Sequence, residues 1–337
     1  MRLLFVVMLS AGCQDPGDLN LDGPPSVRPR PVEPAGDEPV APEAPAVEEA
    51  PAFEPPPYDV LEYQGSAVLD VAGRIAMRSQ GGQAYAGMFS NVCEVFTDTG
   101  WLGTEYHVDP EGSEAVTDWD DGSVLSITSN GWFQLRLRDS AVRQGDRAGL
   151  RDARLDGDGV VSLYDLRGGC GVRIEGAADH LLPGDCPDHD GWAVDPIAHT
   201  AWVAIDGVVW AVDADSATET DIHADRVTVD GRRGLIAAAW QGGRRMAWWS
   251  TAGLPLGEAE LPGPVQQITA APAQGLVVAL CGDARGSAVV LVSETSDAWA
   301  WGLRTREPLL WVSVSESGAE LALGRDWPAE TTFFHLP

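Results

Sequence analysis

The chain contains no lysine. All 22 of its basic residues are arginines, set against 51 aspartates and glutamates, and the formal charge is −29. Without lysine, Schiff-base chemistry and lysine-dependent phosphate loops are excluded. The shortage of positive charge argues against nucleic acid and against electrostatic docking on anionic lipid. No run of about 20 apolar residues occurs, so no membrane-spanning helix is predicted. Helical periodicity is scarce, and G-x-S-x-G, H-E-x-x-H and the Walker loop are absent. The six histidines are scattered. What is present is a chain of 337 residues, 44% hydrophobic, with 38 glycines, 24 prolines and 13 tryptophans. That composition supports a real core, many turns and many aromatic anchors.

The chain opens MRLLFVVMLSAGC. Arg2 supplies a charged start, Leu3 to Leu9 a short apolar core, and Ser10, Ala11 and Gly12 are small. Residues 1–12 thus have the layout of a secretory signal. Its end resembles the lipobox of bacterial lipoproteins. There, small side chains let a membrane peptidase close on the backbone, and the next thiol accepts a diacylglyceryl group. The resemblance implies lipidation at Cys13. Gln14, in place of the aspartate that retains enteric lipoproteins in the inner membrane, implies the outer membrane.

Residues 13–57 read as a tether. Positions 14–57 hold 13 of the 24 prolines, ten acids and two arginines (Arg28 and Arg30), a net charge of −8. Proline fixes φ and lacks an N–H, and like charges push the segment open. The expectation is a disordered, polyproline-rich spacer reaching about 130 Å at about 3.1 Å per residue.

Residues 58–337 carry period-2 alternation. In TAWVAIDGVVWAVDA (200–214), Trp202 and Ala204 share one strand face, and Asp206-Gly207 is a two-residue turn that demands positive φ. Strand–turn–strand units also start at Val116, Val227, Gln267 and Val312. Taking Val116, Trp192, Val227, Ile268 and Val312 as equivalent gives intervals of 76, 35, 41 and 44 residues. The first must be two units, with one near Ala153, and the mean period is about 39 residues. A β-rich repeat of about 40 residues predicts an all-β propeller. Seven blades fit best, and six or eight are alternative divisions. The small second strands, Ala237 to Ala239 and Val277 to Ala279, are expected beside the central channel. The tryptophans are expected to pack between blades. LYDLRGG (163–169), WAVDADSAT (210–218) and VFTDTG (95–100) are read as third-strand ends. They resemble those of quinoprotein-like and similar bacterial repeat propellers, in which an Asp caps a turn and a Gly allows positive φ. The final ETTFFHLP (330–337) and the early YDVLEYQ (58–64) are expected to share one blade.

With Cys13 acylated, four cysteines remain, and an even number in an exported domain suggests disulfides. Cys170 and Cys186 enclose a short Gly/Asp/Pro-rich stretch and are the favoured pair. Cys93 and Cys281 read as buried thiols. LDGDGVVSLYD (155–165) resembles the calcium loop of dockerins and EF-hands, which implies Asp156, Asp158 and Asp165 as ligands. Arg154, however, stands where the loop's first carboxylate belongs. A plain hairpin loop is the competing and favoured reading. No cofactor is otherwise expected.

The expected function is a lipid-anchored, monomeric envelope propeller that binds a protein or glycan partner and catalyses nothing. The alternative is a calcium-dependent hydrolase or lyase in the central channel. Converging carboxylates with a His or Arg at the channel mouth would favour the enzyme. A rim of aromatics and arginine would favour the binder.

Overall fold

A computed structural model describes the strands between residues 62 and 146 and most of residues 149–336. The signal, Cys13 and the tether lie outside the described residues.

Strand β1 (Glu62–Val68) belongs to the last sheet. Blade 1 is β2 (Ala76–Met77), β3 (Tyr85–Phe89), β4 (Val92–Thr97) and β5 (Gly100–Tyr106). Blade 2 is β6 (Ser113–Asp120), β7 (Ser123–Thr128), β8 (Gly131–Arg136) and β9 (Val142–Asp146). Blade 3 is β10 (Leu150–Asp156), β11 (Gly159–Leu166), β12 (Gly169–Ile174) and β13 (Asp179–Leu182). Blade 4 is β14 (Trp192–Asp195), β15 (Thr200–Ile205), β16 (Val208–Val212) and β17 (Ala217–Glu219). Blade 5 is β18 (Arg226–Asp230), β19 (Leu235–Ala239), β20 (Arg245–Ser250) and β21 (Pro255–Glu260). Blade 6 is β22 (Val265–Ala271), β23 (Leu276–Asp283), β24 (Gly286–Ser293) and β25 (Trp299–Thr305). Blade 7 is β26 (Leu309–Val314), β27 (Glu320–Arg325) and β28 (Glu330–His335), completed by β1.

All seven sheets are antiparallel and four-stranded. First strands touch from blade to blade, and β26 meets β2, so the ring is closed and the first strands line its axis. This corrects the expectation for the small second strands: β18 and β22 are innermost, and β19 and β23 stand one place out. Closure within blade 7 runs through the chain ends. Strand β1 pairs with β28, with Tyr63 opposite Phe334 and Val68 opposite Glu330.

The repeat positions hold in the structure. Ala153, Trp192, Val227 and Ile268 each precede the last residue of their first strand by three, at Asp156, Asp195, Asp230 and Ala271. Val312 has the same spacing to Ser315, which bonds Glu320 across the turn. Val116 is one residue out of step because the β6 pairing is irregular between Val116 and Asp118.

Second strands such as β15 and β19 are buried along almost their whole length, and alternation there sorts residues between two seams rather than between core and water. Ala201, Val203 and Ile205 pack against Val161, Leu163 and Val172 of blade 3. Trp202 and Ala204, on the other face of β15, pack against Val227, Ile236 and Ala238 of blade 5. Ala237, Ala239 and Trp248 in turn meet Ile268, Val277 and Cys281 of blade 6. Val278, Leu280 and Leu291 meet Val312, Leu321 and Leu323 of blade 7. Each fully buried Val or Leu stabilises by about 1.5–3 kcal/mol relative to exposure. Trp192, Trp202, Trp248 and Trp311 are all buried.

The Asp206-Gly207 turn has φ of +50° and +82°, as a two-residue hairpin with the right twist needs. WAVDADSAT does end a third strand, β16, and VFTDTG another, β4. LYDLRGG does not: it closes β11, the second strand of blade 3. Its Asp165 pairs with Arg151 at 2.7 Å. In β16, by contrast, Asp213 Oδ1 accepts the N–H groups of Asp215 and Ser216. Those bonds hold its carboxyl below the usual carboxylate range.

Candidate functional site

Because neighbouring strands are antiparallel, the loops between blades and the turns between second and third strands gather at one end of the ring. The turns between first and second strands gather at the other. We call these the upper and lower ends.

At the upper end a belt of polar side chains stitches blade 3 to blade 7. Four of the first strands begin with a β-bulge or register shift: between Ser113 and Ala115, Leu150 and Asp152, Val265 and Gln267, and Leu309 and Trp311. A bulge re-aims the next side chain. Asp152 Oδ2 accepts Trp192 Nε1–H at 2.6 Å and lies 2.7 Å from His189 Nδ1, which joins blade 3 to the start of blade 4. Arg154 donates to His189 O at 2.6 Å and lays its guanidinium over the Trp192 ring, 5.1 Å from the centroid. Asp188 caps the short 3-10 turn His189–Gly191 and also receives Arg226 of blade 5 at 3.1–3.2 Å. Arg226 Nε reaches Gln266 O of blade 6, and the Gln267 amide bonds Val312 of blade 7. Cys170 of β12 is disulfide-bonded to Cys186, in the loop that carries Asp188 and His189.

At the lower end three buried acids, Asp156, Asp195 and Asp230, close the first strands of blades 3 to 5. Each has local work. Asp195 Oδ1 accepts the N–H groups of Ile197 and Ala198. Asp230 Oδ1 accepts those of Arg232 and Arg233. Asp156 takes His199 Nδ1 at 3.0 Å. Burial raises the Asp156 pKa; the His199 contact opposes the rise and the charge of Asp195 adds to it. Across the seam to blade 6, Arg233 Nη1 lies 2.9 Å from Asp230 and 3.5 Å from Glu294, and it also donates to Pro272 O. The guanidinium rests on Gly275, where a Cβ would approach its carbon to 2.8 Å. Two buried carboxylates thus face one cation. Burial, and then the charge of Asp230, push Glu294 up to about 8.

The residues implicated by the calcium resemblance do not converge. Asp156 is opposite Gly159 at the foot of the β10–β11 hairpin. Asp165 stands six residues along β11, about 20 Å away at about 3.3 Å per residue. One ion cannot reach both, and Asp158 lies outside the described residues. Among the described residues no group of three or more His, Cys, Asp or Glu is placed to hold a metal. Cys281 is a buried thiol pushed up to about 12 by its burial. The Cys93 side chain lies outside the described residues.

One aromatic departs from the buried pattern. Trp240, in the upper turn between β19 and β20, is 48% exposed. Its indole lies on Gly207 of blade 4, where a Cβ would come within 2.5 Å of the ring. The turn is tied down by Gln241 N–H, which donates to Asp225 Oδ1 at 2.6 Å. Ala224 N–H donates to Gly207 O at 3.1 Å, which holds the blade 4–5 connection against the same hairpin. Sequence reasoning placed the Asp206-Gly207 turn but not its neighbour, because 33 residues separate Gly207 from Trp240.

No protein-family model and no curated protein sequence matches the chain. Solved propellers do. A chain of the mitotic checkpoint complex aligns with TM-score 0.62 at 14% identity, over 86% of this chain and 96% of that one. The WD40 domain of Neurospora crassa Pan2 aligns with TM-score 0.62 at 8% identity, over 83% and 97%. The β-propeller domain of Myceliophteria thermophila Cps50 (Swd1) aligns with TM-score 0.61 at 9% identity, over 82% and 100%. At these identities the likeness shows the fold alone, a repeat-type β-propeller, and the seven four-stranded sheets of this chain make it seven-bladed.

Proposed function

We propose that the chain is a cell-envelope lipoprotein whose propeller binds a protein or glycan partner through its upper loops and performs no chemistry. Cys13 carries the lipid, residues 13–57 tether the ring, and Gln14 directs it to the outer membrane. The propeller works as a monomer without a cofactor. The observation that carries this reading is the state of the polar groups around the axis. Asp152, Asp156, Asp195, Arg226, Asp230 and Gln267 are all engaged in turns or between blades. A catalytic carboxylate or base needs an atom aimed at substrate. By contrast, the upper end presents an exposed tryptophan on a firmly held turn. Aromatic anchors of that kind are enriched in binding hot spots. One matched propeller is, by its name, part of a multiprotein complex.

The test places a photo-crosslinking amino acid at Gln241, on the upper loop, or at Ala252, on a lower turn, in cells. A discrete adduct from Gln241 and none from Ala252 is expected. No adduct, or equal adducts, sinks the binding face. Cell fractionation of Cys13→Ser checks the anchor: loss of the lipid modification and release from the membrane fraction are expected.

A further inference from the structure

The surroundings of Trp240 specify more than a binding face. Four other tryptophans are buried, yet this one is held against Gly207 with nearly half its surface open. Exposed carboxylates occur on the neighbouring upper loops. Asp206 adjoins Gly207 directly, and its own carboxylate lies over Gly184, where a Cβ would be 2.4 Å from Oδ2. Asp185 follows in the chain, and Asp221 lies in the segment whose neighbours Thr220 and Ile222 bond Val209. All three aspartates are exposed. Asp206 and Asp221 form no hydrogen bond or ion pair among the described residues. Of the nearby cations, Arg226 is paired with Asp188 and Arg245 with Glu258 at 3.9 Å, while Arg244 donates to Pro262 O at 2.7 Å and keeps its charge. His223 and Asp225 lie on the same upper loop as Asp221, and Asp225 accepts Gln241 N–H.

Resting on the binding reading above, we propose that Trp240, with Asp206 and Asp221 on the upper loops of the adjoining blade 4, seats a basic side chain, so that the partner is a protein segment rich in arginine or lysine. The face of an indole attracts a cation within about 6 Å, and flanking carboxylates add a salt-screened attraction. The same carboxylates repel acidic peptides and anionic glycans. A neutral sugar could stack on the indole but would gain nothing from the charge.

The probe is a fluorescein-labelled 12-residue peptide of alternating Arg/Lys and Gly/Ser, titrated against the full chain by anisotropy. Binding should weaken as salt rises. Trp240→Ala should lower affinity at least about fivefold, and Trp240→Phe should recover most of it. Asp206→Asn/Asp221→Asn should weaken binding and flatten its salt dependence. The control Asp179→Asn/Asp215→Asn removes the same charge from exposed positions at the lower end of blades 3 and 4 and should change neither. Retained melting transitions show that each variant folds. The proposal is overturned if the probe fails to bind, if Trp240→Ala binds like the parent, or if the lower-end control weakens binding equally. A Gln241 adduct together with a probe that does not bind would remove the basic partner and leave the binding face. Absence of both would remove the face as well.

Discussion

Gln267 holds Val312 by both of its backbone groups. Its Nε2 donates to Val312 O at 2.8 Å, and its Oε1 accepts Val312 N–H at 2.9 Å. Both residues are buried, and the pair spans the seam between blades 6 and 7. Gln267→Leu keeps the volume and strands two backbone groups. Each orphan costs roughly 1–3 kcal/mol. Denaturant unfolding should show a loss of at least that size, and a loss below about 0.5 kcal/mol would mean that water replaces the amide.

Glu294 makes stability depend on pH with a definite sign. In the unfolded chain it ionises near the ordinary glutamate value, whereas burial beside Asp230 pushes it up to about 8 in the fold. Between those values the folded state holds a proton that the unfolded state has lost. The contribution is full at acid pH and declines as pH rises to about 8. Glu294→Gln should therefore flatten the fall in melting temperature between about pH 5 and 8. A variant whose pH profile parallels the parent's would show that Arg233 neutralises both acids.

Gly207→Ala should cost more than an ordinary surface substitution. The position has φ +82°, and the added Cβ would sit 2.5 Å from Trp240. Left-handed strain alone is of order 1–3 kcal/mol. The melt should shift by that amount, and Trp240→Ala on the same background should recover the steric part but not the backbone part. Additive losses would contradict the contact.

Reducing the Cys170–Cys186 bond, or replacing both cysteines with alanine, should lower stability. Their separation of 16 residues corresponds to about 3 kcal/mol in the chain-entropy description. Melting with and without reductant measures it. An unchanged transition would show that the His189 contact to Asp152 already fixes the loop.

Removing residues 330–337 should do more than soften one sheet. Among the described strands, β28 is the only one paired with β1, and it also covers β27. Its loss frees β1, opens the ring and exposes Phe334 and Leu336, which are buried in the blade 7 cluster. Exposed strand edges and apolar surface favour aggregation. Light scattering with a circular-dichroism melt reads the outcome, and a soluble, monomeric truncant with the parent's sharp transition would contradict closure through β28.

The blades were legible because Trp192, Val227, Ile268 and Val312 recur at similar distances from a turn, and spacing survives without identity. The closing strand was legible because ETTFFHLP is rich in the β-branched and aromatic residues that favour strands. The belt was not, since Asp152 meets Trp192 across 40 residues and a bulge decides where the carboxylate points. The calcium resemblance failed because loop spacing means proximity only in a loop. In β11 the same residues are spread along an extended strand. LYDLRGG was placed on the wrong strand because a turn motif marks a turn without saying which strand precedes it.

Closure through β1 also sets an order in time. Tyr63 and Phe334 face each other across almost the whole propeller sequence. Middle blades can form from neighbouring residues as they become available, but β1 has no partner until β28 exists. Such a pairing closes a very long loop at once and slows the final step. Until then the half-built seventh sheet has an open edge, and the chain's most vulnerable moment comes just before β28 docks.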